Sequence, residues 1–437
     1  MQHDVKNGKP RKPFRLQEHV EWIAMAFVLA LTFRCFVVEA YQIPTGSMAP
    51  TLYGRHFEVS CPYCGERFVT RGPETADYPV FFFCPACGRE GAPRSTRTRL
   101  HGGDRILVAK DLYLFSRPRR WDVFVFKSPK RNERTMTHDN FVKRLVGLPG
   151  ETLEIRNGQV FVDGHIARKP GHVQGRLWQP VYNYRNENPQ YPSWRSGGGW
   201  DIRKGKLALV DAAESWQTIE YARPIRDFYA YNARSGDNVV GDLLVAGHVN
   251  IDEDQGSFSV AVYNDYQSAR HTVTAIFTPI DGRLGIELRK DERLLSQTAS
   301  LIASPRDFDF SLAVVDGSQE VCVDGVSALY SAEDLSPDDV PLFTSSSGVF
   351  FGGYGTKLLV SGAEIKRDVY YSTDLGRPDR SVTQPFVEVI PQGQYLALGD
   401  NSPISNDSRK WGLVPEANVL GKAFFVFWPP PRVRPVF

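Results

Sequence analysis

The chain has 437 residues, a formal net charge of +2, and is 42% hydrophobic and 23% charged. This balance excludes a disordered tail, a collagen-like repeat and charge-driven nucleic-acid binding, and the length suits two or three domains with real cores. The 37 Gly, 30 Pro and 12% aromatics favour short strands and many turns over a helical bundle, and six cysteines are too few for a disulfide-stapled scaffold.

Residues 1–18 carry Lys6, Lys9, Arg11, Lys12 and Arg15. The apolar run Trp22 to Phe33, continued by Arg34 and Cys35 to Val38, predicts one transmembrane helix over 19–39 with its cationic flank in the cytoplasm. Trp22 would sit at the near interface, and Arg34 would snorkel to the far one. The alternative is a cleaved secretory signal ending at Val38-Glu39-Ala40; Trp22 and the charge of Glu39 favour the anchor. Either choice exports the remainder. No later stretch is apolar enough to span, so a single crossing is expected.

Alternating apolar patterns predict strands at Arg105–Ala109 and Asp122–Phe126, and Glu154 to Gly164 reads as strand, Asn-Gly turn, strand. Residues 167–200, rich in Pro, Gly, Asn and Tyr, read as a linker. From 201 to about 375, strand-like runs recur at Asp242–Val249, Ser257–Tyr263, Thr272–Phe277, Phe308–Val315 and Leu358–Ser361. They predict a β-sandwich resembling a laminin-G or concanavalin-like jelly roll, whose ligand the sequence leaves unknown.

Within 61–92, Cys61-Pro62-Tyr63-Cys64-Gly65 is answered by Cys84-Pro85-Ala86-Cys87-Gly88. Two such knuckles are the pattern of a zinc ribbon, with Cys61, Cys64, Cys84 and Cys87 holding a structural Zn2+; disulfide or redox use is the alternative. Cys35 and Cys322, unpaired in sequence, read as buried small side chains.

Among the serines, Ser47 stands out in Ile43-Pro44-Thr45-Gly46-Ser47-Met48-Ala49-Pro50, a turn stiffened by two prolines. No histidine lies in a recognisable triad motif. Lys143, on the inward phase of the apolar run Phe141 to Leu148, can serve as a base if burial lowers its pKa; a snorkelling strand lysine is the plainer reading.

These segments, taken together and in order, resemble the type I signal peptidases, membrane-anchored serine–lysine proteases. The resemblance covers 14–57, 101–166 and 386–430. Ile43 to Leu52 is similar to the nucleophile box and Val142 to Gly150 to the lysine box. Tyr395 to Asn401 through Asn406 to Pro415 is similar to the last box.

The resemblance implies Ser47 as nucleophile, Lys143 as general base, Thr45 and the Ser47 N–H as oxyanion donors, and Ser405 as the group that orients the lysine. Asp407 and Arg409 would be a supporting acid–base pair. Ser402-Pro403-Ile404 departs from the Arg-Asp-Asn usual in the family.

The expected chain is therefore mainly β. It has a transmembrane anchor and an antiparallel β catalytic domain from 40–60, 93–166 and 386–437. A zinc-ribbon insertion occupies 61–92, and a sandwich insertion 201–385.

It would cut signal peptides with small residues before the cut from exported preproteins, at the outer face of the cytoplasmic membrane, with no catalytic cofactor and no nucleic-acid partner. The competing class is a membrane-anchored binding protein with a degenerate protease core, suggested by 402–404. A self-cleaving repressor-type regulator is disfavoured because the chain has no DNA-binding module.

Overall fold

A computed structural model describes residues 20–28, 38–72, 82–85, 87–91, 100–131, 136–187, 192–203, 205–228, 230–232, 238–254, 256–300, 304–373 and 384–437. Its architecture is antiparallel β throughout.

One eight-stranded sheet is built from segments of both halves of the chain. Its order is Val38–Gln42, Arg105–Ala109, Val419–Trp428, Val123–Lys127, Asn140–Gly147, Gln394–Leu398 and Val414–Pro415, with Arg434–Pro435 also paired to Val419–Trp428. Strands from the two ends of the chain thus interleave, and the expected Arg105–Ala109 and 122–126 runs are neighbours of the last long strand.

A second sheet, His165–Ile166, Gln159–Val162, Thr152–Arg156 and Phe386–Val389, includes the Asn157-Gly158 hairpin. Both turn residues have positive φ, 49° and 79°, which matches the twist of the paired strands.

The inserted region is a two-sheet sandwich. One sheet runs Trp200–Arg203, Lys206–Leu209, Leu358–Arg367, Leu243–Ile251, Asp307–Val315, Ser318–Val323 and Val326–Ala332. The facing one runs Trp194–Ser196, Gln217–Tyr221, Ser346–Tyr354, Ser257–Tyr266, Ala269–Ile280, Arg283–Lys290 and Arg293–Ser300. Alternate residues point inward and fill the space between with Phe258, Phe277, Phe308, Phe310 and Phe351. Cys322, on an outer face of this sandwich, is only partly buried.

Two expectations are corrected. Among the described residues no helix is long and apolar enough to cross a membrane. Helix is seen at 20–28. The end of the expected 19–39 span is spent otherwise, because Val38–Gln42 pairs residue for residue with Arg105–Ala109. The cytoplasmic assignment of 1–18, and residues 19 and 29–37 of the span with Cys35, lie outside the described residues.

The second correction concerns 167–200, which is not a passive linker. It forms a short helix, Gly171–Leu177, then a strand, Gln179–Asn183, on the edge of one sandwich sheet, and Trp194–Ser196 in the other. Its Pro and Gly punctuate these elements; its apolar Val173, Leu177, Tyr182 and Trp194 are buried in two different cores, which ties the two bodies together.

Candidate active site

The turn that carries Ser47 is fixed from both sides. Ile43 N–H donates to the Asp104 carbonyl at 2.8 Å and Leu52 N–H to the Met48 carbonyl at 2.8 Å, and Met48, Ala49 and Leu52 are buried. Asp104 also accepts from Tyr53 N–H at 2.8 Å and is clamped by Arg432 at 2.7 Å. Burying those neighbours leaves Ser47 facing a groove of about 520 Å³, lined among others by Thr45, Met48, Val125, Val142 and Lys143.

Lys143 lies on the Asn140–Gly147 strand, opposite Phe124. Its Nζ donates to Ser47 Oγ at 2.6 Å and to the Val142 carbonyl at 3.2 Å. The side chain is buried beside apolar strand residues, and burial lowers its pKa to about 8 despite the opposing pull of Asp407 and Asp400. A large share of the lysine is therefore neutral near pH 8. When neutral, the contact reverses and the serine hydroxyl donates to the amine lone pair.

Thr45 is exposed at the groove mouth, two residues before Ser47. Ser405 is fully buried, and Gly399 separates its hydroxyl from the Ser47 carbonyl so closely that a Cβ there would strike both. The expected hydrogen bond from Ser405 to Lys143 is not made: the Ser405 hydroxyl has no partner and lies beside the Asp407 carboxylate.

Asp407 and Arg409 do pair, at 2.6 Å and fully buried. The Asp407 carboxylate also caps the short Ser408–Trp411 helix and accepts from Gly399 N–H at 3.0 Å. The unusual Ser402 takes part in the same knot, its Oγ accepting from Arg409 Nη1 at 2.8 Å and from Ser372 N–H at 2.9 Å. The Asp407 carboxylate, the Ser402 hydroxyl and the Ser372 and Ser402 carbonyls thus occupy the Arg409 guanidinium.

Sequence reasoning missed three groups. Arg144, next to Lys143, is fully buried and grips Asp400 with two bonds of 2.7 Å, while also donating to the Trp121 and Phe437 carbonyls. A charged residue inside so apolar a strand was a signal that a buried acid must exist. Asn401 donates through Nδ2 to the Gly46 carbonyl and through its backbone N–H to the Ser47 carbonyl, each at 3.0 Å. Tyr231 and Asn232, from the inserted region, close on the same turn, and nothing local in the sequence announces them.

The four knuckle cysteines come together, their Sγ atoms all within 4.8 Å of one another, with Cys61–Cys87 at 3.6 Å and Cys64–Cys84 at 3.5 Å. All four thiols are free. Four sulfurs about 2.3 Å from a tetrahedral ion stand about 3.8 Å apart, so the set fits zinc and is too open for a disulfide. Gly65 and Gly88, at φ 79° and 68°, close the two knuckle turns by donating to the Cys61 and Cys84 carbonyls.

A serine hydroxyl against a buried lysine amine, in an open groove beside a β-sheet, is an arrangement suited to a serine endopeptidase. Comparison with known proteins narrows this. The family model "Signal peptidase, peptidase S26" matches residues 16–72, 79–215 and 354–428, and the chain belongs to that family: it is a hydrolase that removes signal peptides from exported preproteins.

Among its relatives, Signal peptidase I of Leptolyngbya laminosa is 29% identical over 198 residues, 43% of this chain and 74% of the relative. "Probable signal peptidase I-2" of Synechocystis sp. is 57% identical over 178 residues, 38% of this chain and 60% of the relative. A carbohydrate-binding module, CBM66, from Bacillus subtilis aligns with 40% of this chain and 95% of its own at 7% identity and a TM-score of 0.29, a likeness too slight to carry an argument.

Proposed function

We propose that Ser47 is the nucleophile and Lys143 the general base of the peptidase. The observation that carries this is the 2.6 Å contact between Lys143 Nζ and Ser47 Oγ at the floor of the groove. Neutral Lys143 takes the hydroxyl proton as Oγ bonds to the scissile carbonyl carbon. The carbonyl π electrons move onto oxygen, where the Ser47 N–H and the Thr45 hydroxyl meet the charge. As the tetrahedral adduct collapses, the C–N bond breaks and Lys143 passes its proton to the leaving amine. Water, deprotonated by the same amine, then bonds to the acyl carbon; the acyl C–Oγ bond breaks and Lys143 returns its proton to Ser47 Oγ.

Ser405 is proposed to orient the lysine from its buried position beside the Asp407 carboxylate. Asp407 and Arg409 hold the last loop in register. The intact Ser47–Lys143 contact counts against a degenerate binding protein.

The four thiolates are assigned to a structural zinc ion, since a closed set leaves no position for substrate or water. Work at a membrane surface on the exported side fits the exposed apolar residues Leu114, Phe115, Phe424 and Trp428, whose two segments pack together. Substrates carry small residues before the cut. The catalytic body is assigned to 40–60, 93–166 and 386–437, and the sandwich to the interval between.

The deciding experiment compares purified wild type and Ser47→Ala on a preprotein in detergent or lipid. Correct cleavage by wild type and its loss in the folded variant is expected; equal cleavage by both would remove Ser47 from the mechanism.

A further inference from the structure

The Gly46 carbonyl and the Ser47 N–H belong to one planar peptide group, so whatever fixes the first fixes the aim of the second. Asn401 Nδ2 holds that carbonyl at 3.0 Å. Asn401 is in turn held by Asn232 in a reciprocal amide pair. Asn232 Nδ2 donates to Asn401 Oδ1 at 2.8 Å, and Asn401 Nδ2 donates to Asn232 Oδ1 at 2.7 Å.

The preceding residue completes the grip. Tyr231 is fully buried, stacks on Tyr53 at 5.6 Å with 9° between the rings, and donates its hydroxyl to the Arg55 carbonyl at 3.1 Å. Its ring lies so close over Gly46 that a Cβ there would collide with it. Residue 46 must therefore lack a side chain because of a tyrosine some 185 positions away in the chain. On its far side the Ala230–Asn232 segment packs on the Arg67–Arg71 strand, and Phe228 meets Phe83 of the cysteine module at 4.3 Å.

We propose that Tyr231 and Asn232, borne by the inserted region, are positioning residues for the oxyanion-binding N–H of Ser47, which makes the insertion a working part of the catalytic site. This rests on the Ser47–Lys143 reading above. Neither residue lines the substrate groove, so their loss acts on the transition state and leaves substrate binding nearly alone.

The test uses the full chain and one preprotein. Asn232→Ala is expected to lower kcat about ten- to hundred-fold with KM within about twofold, the range for a weakened oxyanion donor. Asn232→Asp, which keeps the acceptor for Asn401 Nδ2 but sets a carboxylate oxygen against Asn401 Oδ1, should not recover that loss. Added to Asn401→Ala, Asn232→Ala should cost little more, because the two act as a unit.

Tyr231→Phe, which keeps the ring and therefore the fold, should lower kcat by about three- to tenfold for one lost neutral hydrogen bond. His248→Ala, elsewhere on the sandwich, should leave kcat unchanged. Unaltered kcat in Asn232→Ala and Tyr231→Phe, or multiplicative effects of Asn232→Ala and Asn401→Ala, overturns the proposal while wild-type cleavage keeps the dyad reading. No cleavage by folded wild type sinks both. If Asn232→Ala loses its cooperative melt, Tyr231→Phe alone decides.

Discussion

The catalytic sheet and the inserted sandwich are built by the same rule of alternating strands, yet they differ in what they bury. The sandwich core is apolar, an aromatic cluster of Trp194, Phe258, Phe277, Phe310 and Phe351 between two sheets. The catalytic body buries charge: Lys143, the Arg144–Asp400 pair and the Asp407–Arg409 pair. Buried charge is a poor way to gain stability, because desolvation offsets most of the attraction. Its concentration around Ser47 marks where the molecule spends stability on geometry. The inserted region buries some charge as well: Asp316 and Asp368 lie at the seam between the two bodies, where Lys169 pairs with both at 2.6 and 2.8 Å.

That contrast can be broken most sharply at Lys143. Lys143→Met should abolish cleavage by more than about a thousandfold while the melting temperature stays level or rises, since a desolvated amine is replaced by an apolar chain. In wild type, activity should climb with pH through about 8, because the protonated amine cannot accept the serine proton below it. A pH–rate profile flat from 6 to 9 would remove the lysine as base.

Next in size is Arg144→Met, which strands the fully buried Asp400. Urea denaturation should report a loss of about 3–5 kcal/mol, with activity falling as the last loop and the nucleophile turn lose their shared anchor. The matching change in the sandwich, Phe310→Ala, should cost a similar 3–5 kcal/mol through its cavity. It should leave kcat per folded molecule within about twofold, because the damage is far from the Tyr231–Asn232 segment; a large kcat loss would merge the two regions into one functional unit.

Zinc removal should fall between these extremes. Metal analysis is expected to give one zinc per chain, and chelation or Cys84→Ser should loosen the Arg67–Arg71 strand and lower kcat several-fold through Ala230–Asn232. A metal-free protein with full activity would deny the cysteines that role.

The smallest effect is expected at the seam. Burial, with Asp316 and Asp368 nearby, pushes the Asp242 carboxyl up to about 7. A raised carboxylate pKa favours the protonated native state, so this contribution is present below about pH 4 and is lost as pH rises toward 7. Asp242→Asn should flatten the decline of melting temperature over that window.

Much of this was legible in the sequence because it is local. Proline-bracketed Ser47, the apolar strand around Lys143, the paired knuckles and the Asn157-Gly158 turn each carry their instructions within a dozen residues. The sandwich strands were equally readable from period-2 alternation, since one face of each must enter a core. Local apolarity was also what misled: 22–38 has the composition of a membrane span, but among the described residues no helix is long and apolar enough to cross, and Val38 at its end already pairs with Ala109, more than sixty residues away. The linker reading of 167–200 failed similarly, since turn-rich composition does not reveal that the segments between turns are claimed by two cores.

What the sequence by itself determined is the chemistry available: a constrained serine, a lysine in an apolar strand, a set of four thiols and an alternating β pattern. What only the tertiary structure decided is the geometry that makes it a site. The 2.6 Å approach of Lys143 to Ser47, the Arg144 grip on Asp400 and the Tyr231–Asn232 brace each join residues about 90 to 360 positions apart. No local propensity encodes such distances; they exist because strands from both ends of the chain close one sheet and the insertion folds back onto its nucleophile turn.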